Sequence, residues 1–132
     1  MFKAKDIMSR ELLTVTKGTP IFDAIKILVD HGVTGLPVVD SVGYLQGIVT
    51  EKDLLQFLYN PTFSHSVVSE VMTHPVVSFK EDDNLLYVCE CLIKNNFRRV
   101  PILSSEGKLS GIISRRDIIK FILVRKDDDK IF

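Results

Sequence analysis

The sequence has few cysteines and no long hydrophobic run, and each shortage excludes a class of protein. Its two cysteines, Cys89 and Cys91, lie two positions apart in a helical pattern, where their side chains point to different faces. Neither a disulfide framework nor a paired metal site is expected from them. The longest unbroken apolar run, residues 85–89, is far shorter than the roughly 20 residues that span a bilayer, and no apolar signal segment follows Met1. We therefore expect a cytoplasmic protein with no membrane partner.

Net charge is also lacking, because 17 basic and 17 acidic side chains cancel. A chain without net charge does not attract nucleic acid through its overall electrostatic field. Only the concentration of five of the six arginines in the second half of the chain favours a nucleic-acid partner. The three histidines are scattered, and neither His-x-x-His nor Cys-x-x-Cys spacing occurs. The sequence therefore predicts no catalytic constellation, no metal and no required cofactor, and we do not expect an enzyme.

What the sequence does contain is an internal repeat. Shifting the chain by 64 positions aligns residues 8–58 with residues 72–122 without a gap and gives ten identities in 51 pairs. Chance gives about three. The identical pairs are Met8/Met72, Leu28/Leu92, Pro37/Pro101, Ser41/Ser105, Gly43/Gly107, Leu45/Leu109, Gly47/Gly111, Ile48/Ile112, Asp53/Asp117 and Phe57/Phe121. An acid kept in both copies requires a backbone partner or a ligand, so Asp53 and Asp117 are the first candidate functional residues.

Each copy begins with a predicted strand and a helix. The β-rich stretches are residues 12–16 and 76–80. The first helix has Thr19 as its N-cap and Pro20 at N1, and it ends at Gly32. Its counterpart starts at Asp83, in an acidic cluster that the helix dipole favours.

A hairpin and a second helix complete each copy. Gly43 and Gly107 lie at the hairpin turns, where glycine permits a positive φ. The second helices carry the apolar residues Leu54, Leu55, Phe57 and Leu58 in one copy and Ile118, Ile119, Phe121 and Ile122 in the other. The order of elements is therefore β-α-β-β-α, twice.

The fold class predicted from this order is α+β, with two pseudo-symmetric β-α-β-β-α repeats packed through their sheets into one module. About 50 residues per copy is small for independent stability, so we expect the copies to share one core. Repeat 1 is expected at residues 1–60 and repeat 2 at residues 70–124, joined by a connector at residues 61–69. Residues 125–132 lack apolar periodicity and are expected to form a charged tail.

A Gly-x-x-Thr/Ser-x-x-Asp motif lies where the last strand of each copy turns into its second helix, at residues 47–53 and 111–117. A helix N-terminus presents unpaired amides, and a carboxylate one turn in can accept two hydrogen bonds from a vicinal diol such as that of ribose. The same spacing is that of a capping box, in which the hydroxyl and the carboxylate bond each other's backbone amides. Spacing alone favours capping, whereas the glycine, the short acid and the nearby basic residues favour a ligand.

These junctions, together with residues 32–40 and 97–103, resemble the cystathionine-beta-synthase (CBS) domain family in its tandem, or Bateman, arrangement. Further marks are Asp6-Ile7-Met8, Glu70-Val71-Met72 and a Gly/Asn-x-x-x-x-Pro pattern before each hairpin, all in the same order twice. The resemblance covers nearly the whole chain.

The resemblance implies a regulatory module that senses AMP, ADP, ATP or S-adenosylmethionine in two clefts and catalyses nothing. In the family, the Thr/Ser and Asp of one repeat hold ribose or phosphate, and the other repeat supplies the adenine pocket. Carried over by motif position, the first cleft would use Thr50, Asp53, Val77, Phe97, Arg98 and Arg99. The second would use Ser114, Asp117, Leu13, Val33 and Thr34.

Arg98 and Arg99 have no basic counterpart in the first repeat. Arginine offers a planar, permanently charged fork that suits phosphate. We therefore expect the cleft of Asp53 to prefer phosphorylated ligands and the cleft of Asp117 to be weaker or empty. Arg115 and Arg116 are secondary candidates for a phosphate contact, a stabilised helix exterior or a partner contact.

The resemblance also implies a homodimer through the second helices, and an unidentified enzyme or transporter that the module regulates in trans. The alternative is a ligand-free dimerisation or scaffold module. The adjacent apolar pairs Leu54-Leu55 and Ile118-Ile119 fit that alternative, because they are wide enough to serve both a core and an interface.

Overall fold

Helices and strands form in both repeats of the computed structural model, which describes residues 1–56, 59–60, 62 and 65–127. The elements in chain order are α1 (Ala4–Ile7), α2 (Ile21–His31), β1 (Gly35–Val39), β2 (Leu45–Thr50), α3 (Glu51–Leu55), a short 3-10 helix (Val68–Glu70), β3 (Phe79–Lys80), α4 (Leu85–Lys94), β4 (Arg99–Leu103), β5 (Leu109–Ser114) and α5 (Arg115–Val124). The predicted α+β class with two repeats is confirmed. The helix residues Phe57 and Leu58, part of the connector and the tail beyond residue 127 lie outside the described residues.

The chain divides into two compact units. The first unit is Leu13–Val76, and the second unit consists of Met1–Leu12 together with Val77–Phe132. Each unit therefore contains the leading segment of the other repeat: residues 1–12 of repeat 1 lie in the second unit, and residues 70–76 of repeat 2 lie in the first unit. The predicted repeat boundaries along the sequence stay a prediction, and the compact units do not coincide with them.

The leading segments pair with the last strand of the hairpin in their unit. In the second unit, Ser9 and Ile112 exchange backbone hydrogen bonds of 2.8 and 3.0 Å. In the first unit, Thr73 and Ile48 do the same, also at 2.8 and 3.0 Å. Ser9 and Thr73 occupy the same position in the two repeats, and so do Ile112 and Ile48. Each unit is therefore completed in the same way by a segment of the other repeat.

The first unit is built on the β1–β2 hairpin and α2. The strands are antiparallel, with Gly35 opposite Thr50, and α2 buries Ile21, Ala24 and Leu28 along one face. Full burial of an aliphatic side chain of this size contributes about 1.5–3 kcal/mol. Other buried residues of this core are Val15, Leu36, Val38, Val49, Leu54 and Val68.

The second unit repeats this arrangement with one more strand. The short strand β3 runs parallel to β4, and β4 is antiparallel to β5. The helix α4 buries Leu85, Val88 and Leu92. Other buried residues of this core are Ala4, Met8, Val100, Ile102, Ile113 and Phe121. The buried residues thus form one cluster in each unit, and the core shared between the copies stays a prediction.

The predicted N-terminal ends of α2 and α4, at Thr19 and Asp83, are each one residue before the N-cap in the structure. The N-cap of α2 is Pro20, and the Thr19 hydroxyl instead accepts a hydrogen bond from the Thr16 N–H at 3.0 Å. The N-cap of α4 is Asn84, whose side chain accepts from the Leu86 N–H at 2.9 Å. The helix end at Gly32 is confirmed, because this glycine has a φ of 63°. The positive φ values predicted at the two hairpin glycines are also present, 109° at Gly43 and 85° at Gly107.

The predicted strand at residues 12–16 is reduced to a single parallel bridge between Val15 and Val38. Its counterpart forms the two-residue strand β3. None of the described helices has the length and apolar composition needed to cross a membrane.

Two glycines allow the leading segments to approach the hairpins. A Cβ at Gly47 would lie 2.7 Å from the Met72 sulfur and 3.0 Å from the Thr73 carbonyl oxygen. A Cβ at Gly111 would lie 2.7 Å from Met8 Cγ. Such distances are shorter than van der Waals contact, so a Cβ at either position would force the neighbouring methionine side chain to move, and at Gly47 it would also press on the Thr73 main chain.

We expect Gly47→Ala to lower the free energy of unfolding by about 1–3 kcal/mol, because the added methyl group overlaps the Met72 side chain and lies close to the Thr73 carbonyl oxygen, so that both must shift. The matched control is Gly18→Ala in the same unit, where no atom lies within 4 Å of the added Cβ. Urea denaturation of both variants measures the difference. Equal stability of the two would show that the close approach is not required.

Candidate functional site

The first repeated junction is the turn from β2 into α3, and a capping box closes it. The Asp53 Oδ2 atom accepts hydrogen bonds from the Thr50 N–H at 2.9 Å and from the Thr50 hydroxyl at 3.0 Å. In return, the Asp53 N–H donates to Thr50 Oγ1 at 3.3 Å. Both residues are half-buried. The carboxylate is therefore held at the helix start by its own backbone neighbours.

The turn from β5 into α5 repeats this geometry. The Asp117 Oδ2 atom accepts from the Ser114 N–H at 2.8 Å, and the Asp117 N–H donates to Ser114 Oγ at 3.1 Å. The capping interpretation of both motifs thus describes real hydrogen bonds. It leaves the second carboxylate oxygen, Oδ1, outside the capping box in each case.

The two Oδ1 atoms have different neighbours. The Thr73 hydroxyl donates to Asp53 Oδ1 at 3.2 Å and lies 3.5 Å from Oδ2. At the matching place in the second unit stands Ser9, and no described residue donates a hydrogen bond to Asp117 Oδ1. The Asp117 Oδ1 atom could therefore accept hydrogen bonds from a ligand alone. The Asp53 Oδ1 atom would accept from a ligand and from the Thr73 hydroxyl together.

The loop before the hairpin lies against each junction. The Glu51 N–H donates to the Thr34 carbonyl oxygen at 3.0 Å, and the Arg115 N–H donates to the Arg98 carbonyl oxygen at the same distance. Gly35 pairs with Thr50 in the first unit, and Arg99 pairs with Ser114 in the second.

Within each unit the structure thus brings the predicted loop residues beside the predicted junction residues. In the first unit these are Val33, Thr34, Thr50 and Asp53, and in the second unit they are Phe97, Arg98, Arg99, Ser114 and Asp117. The family-based clefts combine residues of different units, and that combination stays a prediction.

The remaining predicted residues differ in exposure. Leu13 and Phe97 are half-buried and pack against the cores of their own units. Val77 is 47% exposed. Arg98 is exposed and forms no ion pair with a described residue, while Arg99 is half-buried.

Arginines are unevenly divided between the units. All six belong to the second unit, which carries 14 basic and 11 acidic residues, whereas the first unit carries 3 basic and 6 acidic residues. The second unit is therefore the better match for an anionic ligand.

Sequence reasoning missed the role of Arg115. Its side chain donates hydrogen bonds to the loop that carries Phe97 and Arg98. The available signal was the contrast with Glu51 at the matching position, because an acid cannot donate to a loop carbonyl.

Burial disfavours the reactive form of one of the two cysteines. Cys89 and Cys91 are half-buried free thiols, and burial raises the pKa of the Cys89 thiol, which disfavours the reactive thiolate. Among the described residues, no three His, Cys, Asp or Glu side chains cluster closely enough to hold a metal ion.

Comparisons with known proteins agree on one family. The family model described as "CBS domain" matches residues 4–60 and 68–124. The crystal structure of CBSX2 in complex with AMP is 31% identical, with a TM-score of 0.88 over 96% of this chain and 99% of that one. CBSX2 is a CBS-pair protein from Arabidopsis thaliana.

A second solved structure is the CBS domain pair of protein MJ0100 in complex with 5′-methylthioadenosine and S-adenosyl-L-methionine. It is 30% identical, with a TM-score of 0.82 over 95% of this chain and 98% of that one. A curated relative, inosine-5′-monophosphate dehydrogenase from Methanocaldococcus jannaschii, is 35% identical over 89% of this chain but only 23% of its own length. The chain therefore spans about a quarter of that enzyme.

We expect Thr50→Ala to lower the free energy of unfolding by about 1 kcal/mol, because the variant leaves an N-terminal amide of α3 without its side-chain acceptor. Thr50→Ser keeps the hydroxyl and is the matched control, with a change of less than about 0.5 kcal/mol. Urea denaturation measures both. A Thr50→Ala variant as stable as the parent would contradict the capping role.

Proposed function

The chain belongs to the CBS domain family and carries two copies of that domain, and from this premise we propose that it is a regulatory module that binds adenosine-type ligands. The ligand class comprises AMP, ADP, ATP and S-adenosylmethionine. The module senses the ligand and performs no reaction of its own.

The observation that carries the proposal is the spare oxygen of each capping carboxylate. Oδ2 of Asp53 and of Asp117 is bonded to its own junction, so that the carboxylate is oriented before a ligand arrives. Oδ1 of Asp117 has no donor among the described residues, and Oδ1 of Asp53 has only the Thr73 hydroxyl. The two hydroxyl groups of ribose are suitable donors to such an oxygen.

Phosphate recognition is assigned to Arg98 and Arg99. Arg98 is exposed and has no described carboxylate partner, so its guanidinium can pair with an anion without breaking an ion pair. The excess of basic residues in the second unit adds to the attraction. Nucleotides with a phosphate group should therefore bind more tightly than adenosine.

The relatives support the ligand class. CBSX2 was crystallised with AMP, and the MJ0100 domain pair with 5′-methylthioadenosine and S-adenosyl-L-methionine. All three are adenosine derivatives with a ribose diol. For this chain we keep the family-based assignment, in which Thr50 and Asp53 act with Val77, Phe97, Arg98 and Arg99, and Ser114 and Asp117 act with Leu13, Val33 and Thr34.

Regulation is proposed to work by linkage. A ligand that binds one conformation of the module more tightly shifts the population toward it, and a separate enzyme or transporter responds. This partner, a homodimeric state and a cytoplasmic location all stay predictions.

A ligand-free dimerisation module is the second candidate. The observation that favours it is the exposed apolar side of α5, where Ile119, Ile122 and Leu123 are 64%, 38% and 66% exposed. A stable dimer without any ligand response would support that function instead.

We expect a saturating nucleotide to raise the melting temperature. A ligand present at about 100 times its Kd adds about 2.7 kcal/mol to the native state, which corresponds to roughly 8 to 12 °C for a chain of this size. Differential scanning fluorimetry with AMP, ADP, ATP and S-adenosylmethionine measures the shift. Asp53→Ala combined with Asp117→Ala should abolish it, whereas Asp23→Ala, an exposed acid in the first turn of α2, should not. An unchanged midpoint with all four ligands contradicts the sensor function and favours the scaffold.

We expect Arg98→Ala to weaken AMP binding by about tenfold, the effect of losing one charge-assisted hydrogen bond. Adenosine binding should change less than about twofold, because adenosine has no phosphate. Arg98→Lys is the control that keeps the positive charge but not the planar guanidinium. Its AMP affinity should lie between those of the parent protein and Arg98→Ala. Isothermal titration calorimetry measures all three proteins, and equal losses for AMP and adenosine would argue against a phosphate contact.

A further inference from the structure

Arg115, the first residue of α5, binds the loop between α4 and β4 through its side chain. Its Nε atom donates to the Phe97 carbonyl oxygen at 2.7 Å. Its Nη2 atom donates to Asn96 Oδ1 at 2.8 Å and to the Leu92 carbonyl oxygen at 3.4 Å. The Arg115 N–H adds the bond to the Arg98 carbonyl oxygen. One residue thus holds the end of α4 and three consecutive loop residues.

The loop between α4 and β4 contains a residue in an unfavourable backbone conformation. Asn96 has a φ of 54°, in the left-handed region. Asparagine tolerates this conformation better than most residues, but it lacks the freedom of glycine. In the first unit the matching residue is Gly32, with a φ of 63°. The bond from Arg115 to the Asn96 side chain stabilises the conformation that glycine adopts unaided.

The first unit has no equivalent of this clamp. Glu51 occupies the position of Arg115, and its N–H makes the same backbone bond, to the Thr34 carbonyl oxygen. Its carboxylate cannot donate a hydrogen bond, and it forms none with any described side chain or backbone group. The clamp is therefore a property of the second unit alone within the described part of the chain.

We propose that Arg115 is a positioning residue for ligand binding, an inference that rests on the proposed function. It orders the loop before the ligand arrives, so that Phe97 and Arg98 bind without the full entropic cost of being fixed in place. Because Arg115 follows Ser114 directly at the start of α5, it also ties any ligand-induced movement of this loop to that helix. Arg115 acts through the loop and does not itself contact the phosphate.

The test compares Arg115→Ala with the matched control Glu51→Ala, both in the full chain. Without ligand, amide hydrogen exchange of residues 96–98 should become about tenfold faster in Arg115→Ala and stay unchanged in Glu51→Ala. Isothermal titration calorimetry with AMP should give about 5- to 10-fold weaker binding for Arg115→Ala only. If Arg115→Ala does not fold, Arg115→Gln, which keeps one donor, should show the same two effects at smaller size.

Two further variants separate positioning from charge. Asn96→Gly should recover part of the AMP affinity in the Arg115→Ala background, because glycine adopts the left-handed conformation without support. Arg115→Lys keeps the charge and a donor but not the fork, so it should bind AMP more weakly than the parent protein, with a loss similar to that of Arg115→Gln. Full affinity in Arg115→Lys, or no recovery by Asn96→Gly, would overturn the proposal. If the parent protein binds no nucleotide, the proposed function fails, while unchanged loop exchange in Arg115→Ala would refute the clamp itself.

Discussion

The hydrogen bonds between an aspartate carboxylate and the backbone at the start of α3 and α5 are the constraint on which this account depends. Asp53 and Asp117 each use Oδ2 to cap a helix. Capping and ligand binding are often treated as alternatives for such a motif. Here the cap orients the carboxylate and leaves its other oxygen for a different donor, so one side chain can serve both purposes.

The repeats share this constraint, but their surroundings differ. Thr73, which belongs to the leading segment of the second repeat, donates to Asp53, and Ser9 makes no such bond to Asp117. The exchange of leading segments between the units therefore brings a hydroxyl into hydrogen-bond contact with Asp53, whereas the hydroxyl of Ser9 at the matching place makes no such bond to Asp117. Basic residues are concentrated in the second unit, where Arg115 also orders the loop of Phe97 and Arg98. The duplication thus preserved the helix caps while the donors around them diverged.

Much of the fold could be predicted from the sequence, because the glycines, prolines and apolar spacings of the two copies agree with each other. The N-caps of α2 and α4, Pro20 and Asn84, were missed by one residue, since several residues before each helix can take that position. The exchange of residues 1–12 was not predicted, because pairing between distant segments leaves no local pattern. For the site, the motif identified both acids, but spacing could not separate capping from binding, and the partners of Thr73 and Arg115 depend on three-dimensional contacts.

A high-resolution crystal structure with AMP tests the central claim most directly. The account predicts that a ribose hydroxyl lies within hydrogen-bond distance of Oδ1 of Asp53 or Asp117, while Oδ2 of the same residue keeps its bond to the Thr50 or Ser114 amide. It is contradicted if AMP binds with its ribose away from both carboxylates, or if nucleotide-soaked crystals contain only solvent at both junctions.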